Sequence, residues 1–404
     1  MMNIFLFPLI FILLMPYPGF IGSSALRMVD ILTLLIPLLF VLVIAVSKKR
    51  IPTHVIYFIF YLLLAVQIFA IFTSTTSISF ISDILELYKL ILCFTCFVYG
   101  LIVSPYVNQE KVRYAIWFVT FCIAIVCIFQ FIFGPSIFYY MFSGRGVDAI
   151  NTQFTSRIIG TLGNPNFVAI YFSSVFFFFF NDYLKHKEKI NLIFSVSCFL
   201  LLLLTQSRST LIYFIIVFYI CFILIMFCNW LNYKEKFKFI FIVSSISIIC
   251  VFMFTLLLNS GYLRYVATGF EFVVKNGLSE QSSFSGRVLM WNFYMDLIKE
   301  KPFFGYGPSK DYFMFSVADN NYIFILFKYG LFGLICYIFI FIYLIKRLLG
   351  SFLKANDNFE ALPLFLGVMI FMCSMTSEMI DSMRITPFFF MLCGLTIGLK
   401  RYEK

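Results

Sequence analysis

Asn259-Ser-Gly-Tyr-Leu-Arg264, then Ser285-Gly-Arg287-Val-Leu-Met-Trp291, then Lys301-Pro302-Phe-Phe-Gly305-Tyr-Gly307, and last Asp319-Asn320-Asn321-Tyr322 make up the long polar stretch of a chain that is otherwise oily. Apolar runs of membrane-crossing length flank it on both sides, so it reads as a loop held between spans rather than as a domain of its own. The fold follows from that contrast. The loop carries the chemistry, and the apolar runs are its scaffold.

Composition points the same way. Hydrophobic residues make up 62% of the chain and charged residues 12%, a balance that cannot form the surface of a soluble globule. Fifty-eight phenylalanines among 404 residues exceed what a water-facing fold could hide, whereas lipid tails accept them. The expected architecture is an all-α polytopic membrane protein, residues 1–404 forming a single integral membrane domain with membrane lipids as its solvent. About twelve stretches approach the roughly twenty residues a bilayer requires. They begin near Asn3, Val29, Val55, Ile84, Tyr114, Asn164, Ile190, Ser209, Phe239, Asn321, Ala361 and Thr386. The first is kept as a membrane helix rather than a cleavable signal, since Pro8, Pro16 and Pro18 occupy the place of a small-residue cleavage site. The run Phe176 to Phe180 is lipid-facing or packed apolar surface.

Orientation comes from the basic residues, because short translocated loops shed positive charge. With both termini inside, cytoplasmic segments hold Lys48-Lys49-Arg50, Lys111 and Arg113, Lys185 with Lys187 and Lys189, Lys234 with Lys236 and Lys238, Lys346-Arg347 with Lys354, and Lys400-Arg401 with Lys404. Two large loops then face outward, 134–163 and 259–319. The net charge of +11 is mostly this topology signal, which removes the case for a nucleic-acid partner. All eleven cysteines fall in apolar runs, including Cys93 and Cys96, and give neither a disulfide framework nor a zinc site. His54 and His186 sit in short basic loops and are poor metal ligands.

Within the long loop, Arg287 to Glu300 reads as an amphipathic helix, with Val288, Trp291, Met295 and Ile298 on one stripe, Ser285 as a candidate cap and Pro302 as the stop. Gly305 and Gly307 allow a tight turn that brings backbone close to a ligand or to another segment. Arg157, Arg208, Arg264 and Arg287 all fall at the outer face beside apolar spans. Guanidinium groups there either snorkel to headgroups or hold an anion, and their planar forks suit phosphate oxygens. Glu86 and Lys89, three residues apart on one span, can neutralise each other, whereas Lys328 has no sequence-local partner.

Four blocks in this order resemble the O-antigen polymerase and O-antigen ligase superfamily. They are Arg157-Ile-Ile-Gly160-Thr-Leu-Gly163-Asn164-Pro165-Asn166, then Thr205-Gln206-Ser207-Arg208, then Arg287 to Trp291 with Pro302 to Gly307, and finally Asp319-Asn320 with Tyr322 through Gly330-Leu-Phe-Gly333. Ligases resemble His-Asn followed after nine residues by Gly-x-x-Gly; here the spacing from Asn320 to Gly330 holds but Asp319 stands where the ligase histidine would be. That departure favours a polymerase over a ligase.

The resemblance implies a glycosyltransferase of the bacterial inner membrane that moves a growing glycan from undecaprenyl diphosphate onto the next lipid-linked repeat unit at the periplasmic face. Its partners would be the undecaprenyl-diphosphate-linked oligosaccharide and, as a candidate, a chain-length regulator protein. On this expectation Arg157, Arg208, Arg264 and Arg287 bind the diphosphate and Asp319 is the catalytic base or, alternatively, caps the following span. Asn164, Asn166, Ser207, Trp291, Gly305, Gly307, Asn320 and Tyr322 support the site. Outer loops lack an Asp-x-Asp pair or histidine cluster, so no metal and no cofactor is expected. A ligase using lipid A core is the nearest alternative. A flippase would be expected to show two similar halves, and this chain is lopsided.

Overall fold

The computed structural model describes residues 4–15, 36, 54–73, 80–134, 157–227, 234, 237, 240, 244, 255–256, 282–308, 318–354, 359–380 and 382–402. Among them there are helices, turns and no strands. In chain order the α-helices are α1 (Phe7–Leu14), α2 (Val55–Thr73), α3 (Phe80–Val103), α4 (Gln109–Phe133), α5 (Pro165–His186), α6 (Lys189–Leu204), α7 (Arg208–Phe227), α8 (Ser282–Glu300), α9 (Asn321–Lys354), α10 (Ala361–Cys373) and α11 (Ile385–Tyr402).

Among the described residues, five segments are long and apolar enough to cross a membrane: Val55–Thr73, Glu86–Tyr106, Gln109–Phe133, Pro165–His186 and Asn321–Leu353. Lys189–Leu204, Arg208–Ile223, Ala361–Cys373 and Ile385–Lys400 are apolar but shorter. The protein is thus a multi-pass helical membrane protein; the described residues hold five spans of full length, and about twelve stretches are expected over the whole chain. The expected spans beginning near Val29 and Phe239 lie outside the described residues apart from isolated positions. The first expected span is the short α1, which starts with Pro8 in its first turn and ends as Met15 turns extended (φ −61°, ψ 131°) ahead of Pro16.

The centre of the molecule is α5, whose residues face protein on nearly every side. Phe176 to Phe180 are all buried, so the run is packed core and not lipid surface. Phe176 meets Phe214 of α7 edge-on and Phe177 packs on it at a tilt, while Phe177 stacks on Phe365 of α10. A helix that is apolar all round has to be enclosed by others, and α6, α7 and α10 enclose this one.

A second tight contact joins α3 to α11 through small residues. A Cβ at Gly394 would lie 2.0 Å from the Phe97 carbonyl oxygen, and one at Gly398 would lie 2.2 Å from Ser104 Oγ. Gly394 and Gly398 are spaced as a small-xxx-small pair, which lets two helices approach backbone to backbone where lipid offers no hydrophobic drive to association.

The two ends of α5 differ in chemistry. At the His186 end, buried Asp182 is paired with Arg113 at 3.3 Å and accepts from Asn191 Nδ2 at 2.7 Å. At the Asn164 end sit the residues of the candidate site, about 30 Å away at 1.5 Å per residue.

Candidate active site

Asn164 caps α5 by accepting from the Asn166 amide at 2.9 Å, and Pro165 occupies the first turn, where its missing N–H costs nothing. This places the Asn166 side chain at the helix mouth. Its Oδ1 accepts from Ser207 Oγ at 2.7 Å and from Arg157 Nη2 at 3.3 Å, and its Nδ2 donates to Ser377 Oγ at 3.1 Å. Arg157 Nε donates to the Thr205 carbonyl at 3.1 Å. Two of the sequence blocks and Ser377 thereby meet on one amide. Arg208, partly exposed, follows Ser207 as the first residue of α7.

The segment carrying Arg157 is held from below by Gln130 of α4. Its buried side chain accepts from the Ile159 and Gly160 amides, both at 2.9 Å, and donates to the Gly160 carbonyl at 3.3 Å. Arg384, also buried, donates through Nη1 to the Thr161 carbonyl.

A second group forms around Asp319. Arg287 Nε on α8 donates to Asp319 Oδ2 at 3.1 Å, and both side chains are partly open to solvent. Trp291 Nε1, one turn further along α8, donates to the Ala318 carbonyl at 2.9 Å. Asp319 has φ 48°, a left-handed backbone that turns its side chain away from the helix it precedes. Asn320 accepts from the Tyr322 amide at 3.0 Å and the Ile323 amide at 3.2 Å. Asn320 is therefore the cap of α9, and the capping role considered for Asp319 is corrected.

The turn after α10 touches both groups. Ser377 binds Asn166, while the Ser374 carbonyl accepts from the Asn321 amide at 2.8 Å. Ser374 and Ser377 are three residues apart, so the two groups lie within about 10 Å of chain reach through this turn. The N-termini of α5, α7 and α9, each carrying roughly half a positive charge, are thereby linked through Ser207, Asn166 and this turn.

Behind the site, α9 is broken. Gly330 has φ 64° and ψ −167°, a conformation essentially restricted to glycine, and it splits the helix after Tyr329. The Pro302–Gly307 segment fills the break. Tyr306 and Gly307 amides donate to the Phe327 and Lys328 carbonyls at 2.9 and 2.8 Å, and the Leu331 amide donates to the Pro302 carbonyl at 2.8 Å. A Cβ at Gly305 would meet Phe327 O at 2.4 Å, and one at Gly330 would meet Phe303 C at 2.1 Å. The turn glycines thus serve a close approach between segments. Tyr306 is buried in this seam and donates to Glu300 Oε2 at 2.5 Å; burial first, and the neighbouring carboxylate second, push its phenol up to about 12.

The structure brings together Arg157, Asn164, Asn166 and Ser207 as one group, and Arg287, Trp291, Asp319 and Asn320 as another. Tyr322 lies deeper and donates to the Phe371 carbonyl at 2.5 Å. Gly305 and Gly307 sit in the seam rather than at the opening. Arg264 lies outside the described residues, as do most of the 134–163 and 259–319 loops. The helix α8 begins at Ser282, so Ser285 is inside it and is not its cap. Its buried stripe runs through Tyr294 and Ile298, while Met295 is exposed; the face is rotated from the one expected because the α9 aromatics Phe324 and Phe327 pack on Tyr294. Lys328 does have a partner, Glu86 of α3 at 3.0 Å. Ser377, Gln130 and Arg384 were not anticipated. Of these only Arg384, a lone cation within apolar sequence, left a signal that could have been followed.

Fold and site define a multi-pass helical membrane protein in which Asn166, Ser207 and the Ser374–Ser377 turn tie the N-terminal ends of α5, α7 and α9 together. Residues 193–338 match a family model described as O-antigen ligase, a little over a third of the chain. The chain shares this segment with the O-antigen polymerase and ligase superfamily, which the matched family covers. The match takes in Arg208, Arg287, Asp319 and the Gly305–Gly330 seam, and Arg157 to Asn166 precede it. No curated protein matches the chain.

Proposed function

We propose that the protein is an O-antigen polymerase, transferring the growing glycan from undecaprenyl diphosphate to the next lipid-linked repeat unit at the periplasmic face. The observation that carries this reading is the linkage of the α5, α7 and α9 N-termini through Asn166 and the Ser374–Ser377 turn, with Arg157 bonded to Asn166, Arg208 opening α7 and Arg287 bonded to Asp319 just before α9. Such a region suits a diphosphate, which gathers charge as its bond to the sugar breaks. In that step the anomeric C–O bond to the diphosphate breaks and the diphosphate keeps the electron pair. The acceptor hydroxyl oxygen forms the new bond and its proton passes to Asp319. A single displacement of this kind inverts the anomeric centre. Arg287, 3.1 Å from Asp319, links the base to the anion-binding side of the site.

The second reading is ligation of glycan to lipid A core, favoured by the description of the matched family. Asp319 in place of the ligase-type histidine favours polymerisation. Complementation separates the two. Restoring a ladder of chain lengths to a strain lacking its polymerase supports the proposal; restoring capped core only to a ligase-deficient strain contradicts it.

A further inference from the structure

Lys328 sits in the last turn before the break in α9, and its side chain is 1% exposed. A cation so placed in an apolar interior is expensive unless paired, and the pair here spans the fold: Nζ lies 3.0 Å from Glu86 Oε2 on α3, and 4.0 Å over the ring of Phe324. Lys89 holds the other oxygen of Glu86, one turn along α3, and Asp83 lies within electrostatic reach of the same carboxylate. The carboxylate is therefore clamped before it meets Lys328. The residue that makes this contact also gives up its carbonyl to the Gly307 amide, so the ion pair and the Pro302–Gly307 seam meet at one position. The other end of the short first part of α9, Asn321 to Tyr329, carries Asn320 and Asp319.

We infer that Glu86 and Lys328 are positioning residues for glycan transfer: the pair fixes the depth and rotation of the half-helix whose outer end presents Asp319 to Arg287. The helix breaks at Gly330, where the Leu331 and Phe332 amides donate to the Pro302 and Phe303 carbonyls, so the position of the half-helix is set by what grips it. The grips are the seam, the Asn321 amide on Ser374 and the Glu86–Lys328 pair. This inference rests on the transfer reaction proposed above for its activity readout, and on geometry alone for its structural one.

The test uses the full chain in membranes with Glu86→Gln, Lys328→Met and the double variant, each also carrying Phe304→Cys and Phe332→Cys. Phe304 and Phe332 are surface-exposed and their rings are 5.2 Å apart across the seam, so oxidative crosslinking reports whether the break is held in register. Each single variant is expected to lower crosslinking several-fold, and in the native-cysteine background to lower kcat about tenfold with KM for the lipid-linked donor unchanged. Replacing both partners with uncharged side chains removes the buried Lys328 charge together with its counter-ion, so the double variant should regain thermal stability while kcat stays low; Lys328→Arg should recover part of the lost kcat. Unchanged crosslinking in the single variants overturns the inference, as does a double variant with both stability and kcat of the native protein. Absence of any glycan transfer by the native protein would contradict the proposed function and leave the crosslinking result to decide the positioning role by itself.

Discussion

Asp319 illustrates how a single residue's backbone decides between two roles. Its left-handed φ hands the capping of α9 to Asn320 and leaves the carboxylate beside Arg287. Asparagine tolerates that backbone nearly as well as aspartate, so Asp319→Asn preserves the turn while removing basicity. The expected outcome is a loss of glycan transfer by roughly a hundredfold or more, the scale of general-base catalysis. Thermal stability should change by less than about 1 kcal/mol, because the lost partner is a half-exposed ion pair. Near-native transfer at equal membrane abundance would remove Asp319 from the chemistry. The choice was only half legible in sequence: the Asp-Asn order was visible, but which of the two would cap depends on φ at residue 319.

Among the elements, the broken α9 and the segment that fills it are the distinctive device. Gly305 and Gly307 are readable as turn signals and Gly330 and Gly333 as part of a spaced block, yet their meeting is not, since nothing local pairs backbone segments more than twenty residues apart. The same holds for Glu86 with Lys328, separated by 242 positions, whereas Glu86 with Lys89 follows from helical spacing. Gly330→Ala tests the seam. The backbone there costs a non-glycine residue on the order of 1–3 kcal/mol, and the added methyl would also press on Phe303 backbone atoms at 2.1 Å. Thermal unfolding in detergent should show clear destabilisation and reduced membrane abundance. A variant as stable as the native protein would mean that the two segments do not meet as described.

For the molecule as a whole, hydropathy makes the class and most helix starts legible, because α2, α5, α6, α7, α9, α10 and α11 begin within a residue of the expected positions. Hydropathy was silent on which apolar faces meet protein and which meet lipid, as the buried Phe176–Phe180 run and the rotated face of α8 show. The candidate site was legible as blocks and not as a shape, since its assembly passes through Gln130, Ser374 and Ser377, polar residues of no distinctive pattern. Orientation rests on charge asymmetry. A reporter fused after Lys238 should read cytoplasmic and one fused near Ser282 periplasmic; the reverse pair of signals would place the arginines on the wrong side for the proposed reaction. The most direct test of that reaction is to supply the purified protein, in lipid vesicles, with undecaprenyl-diphosphate-linked repeat units as both donor and acceptor. Polymerase activity predicts lipid-linked products of two or more units, abolished by Asp319→Asn; no growth of the glycan until lipid A core is added, followed by transfer to that core, would contradict it.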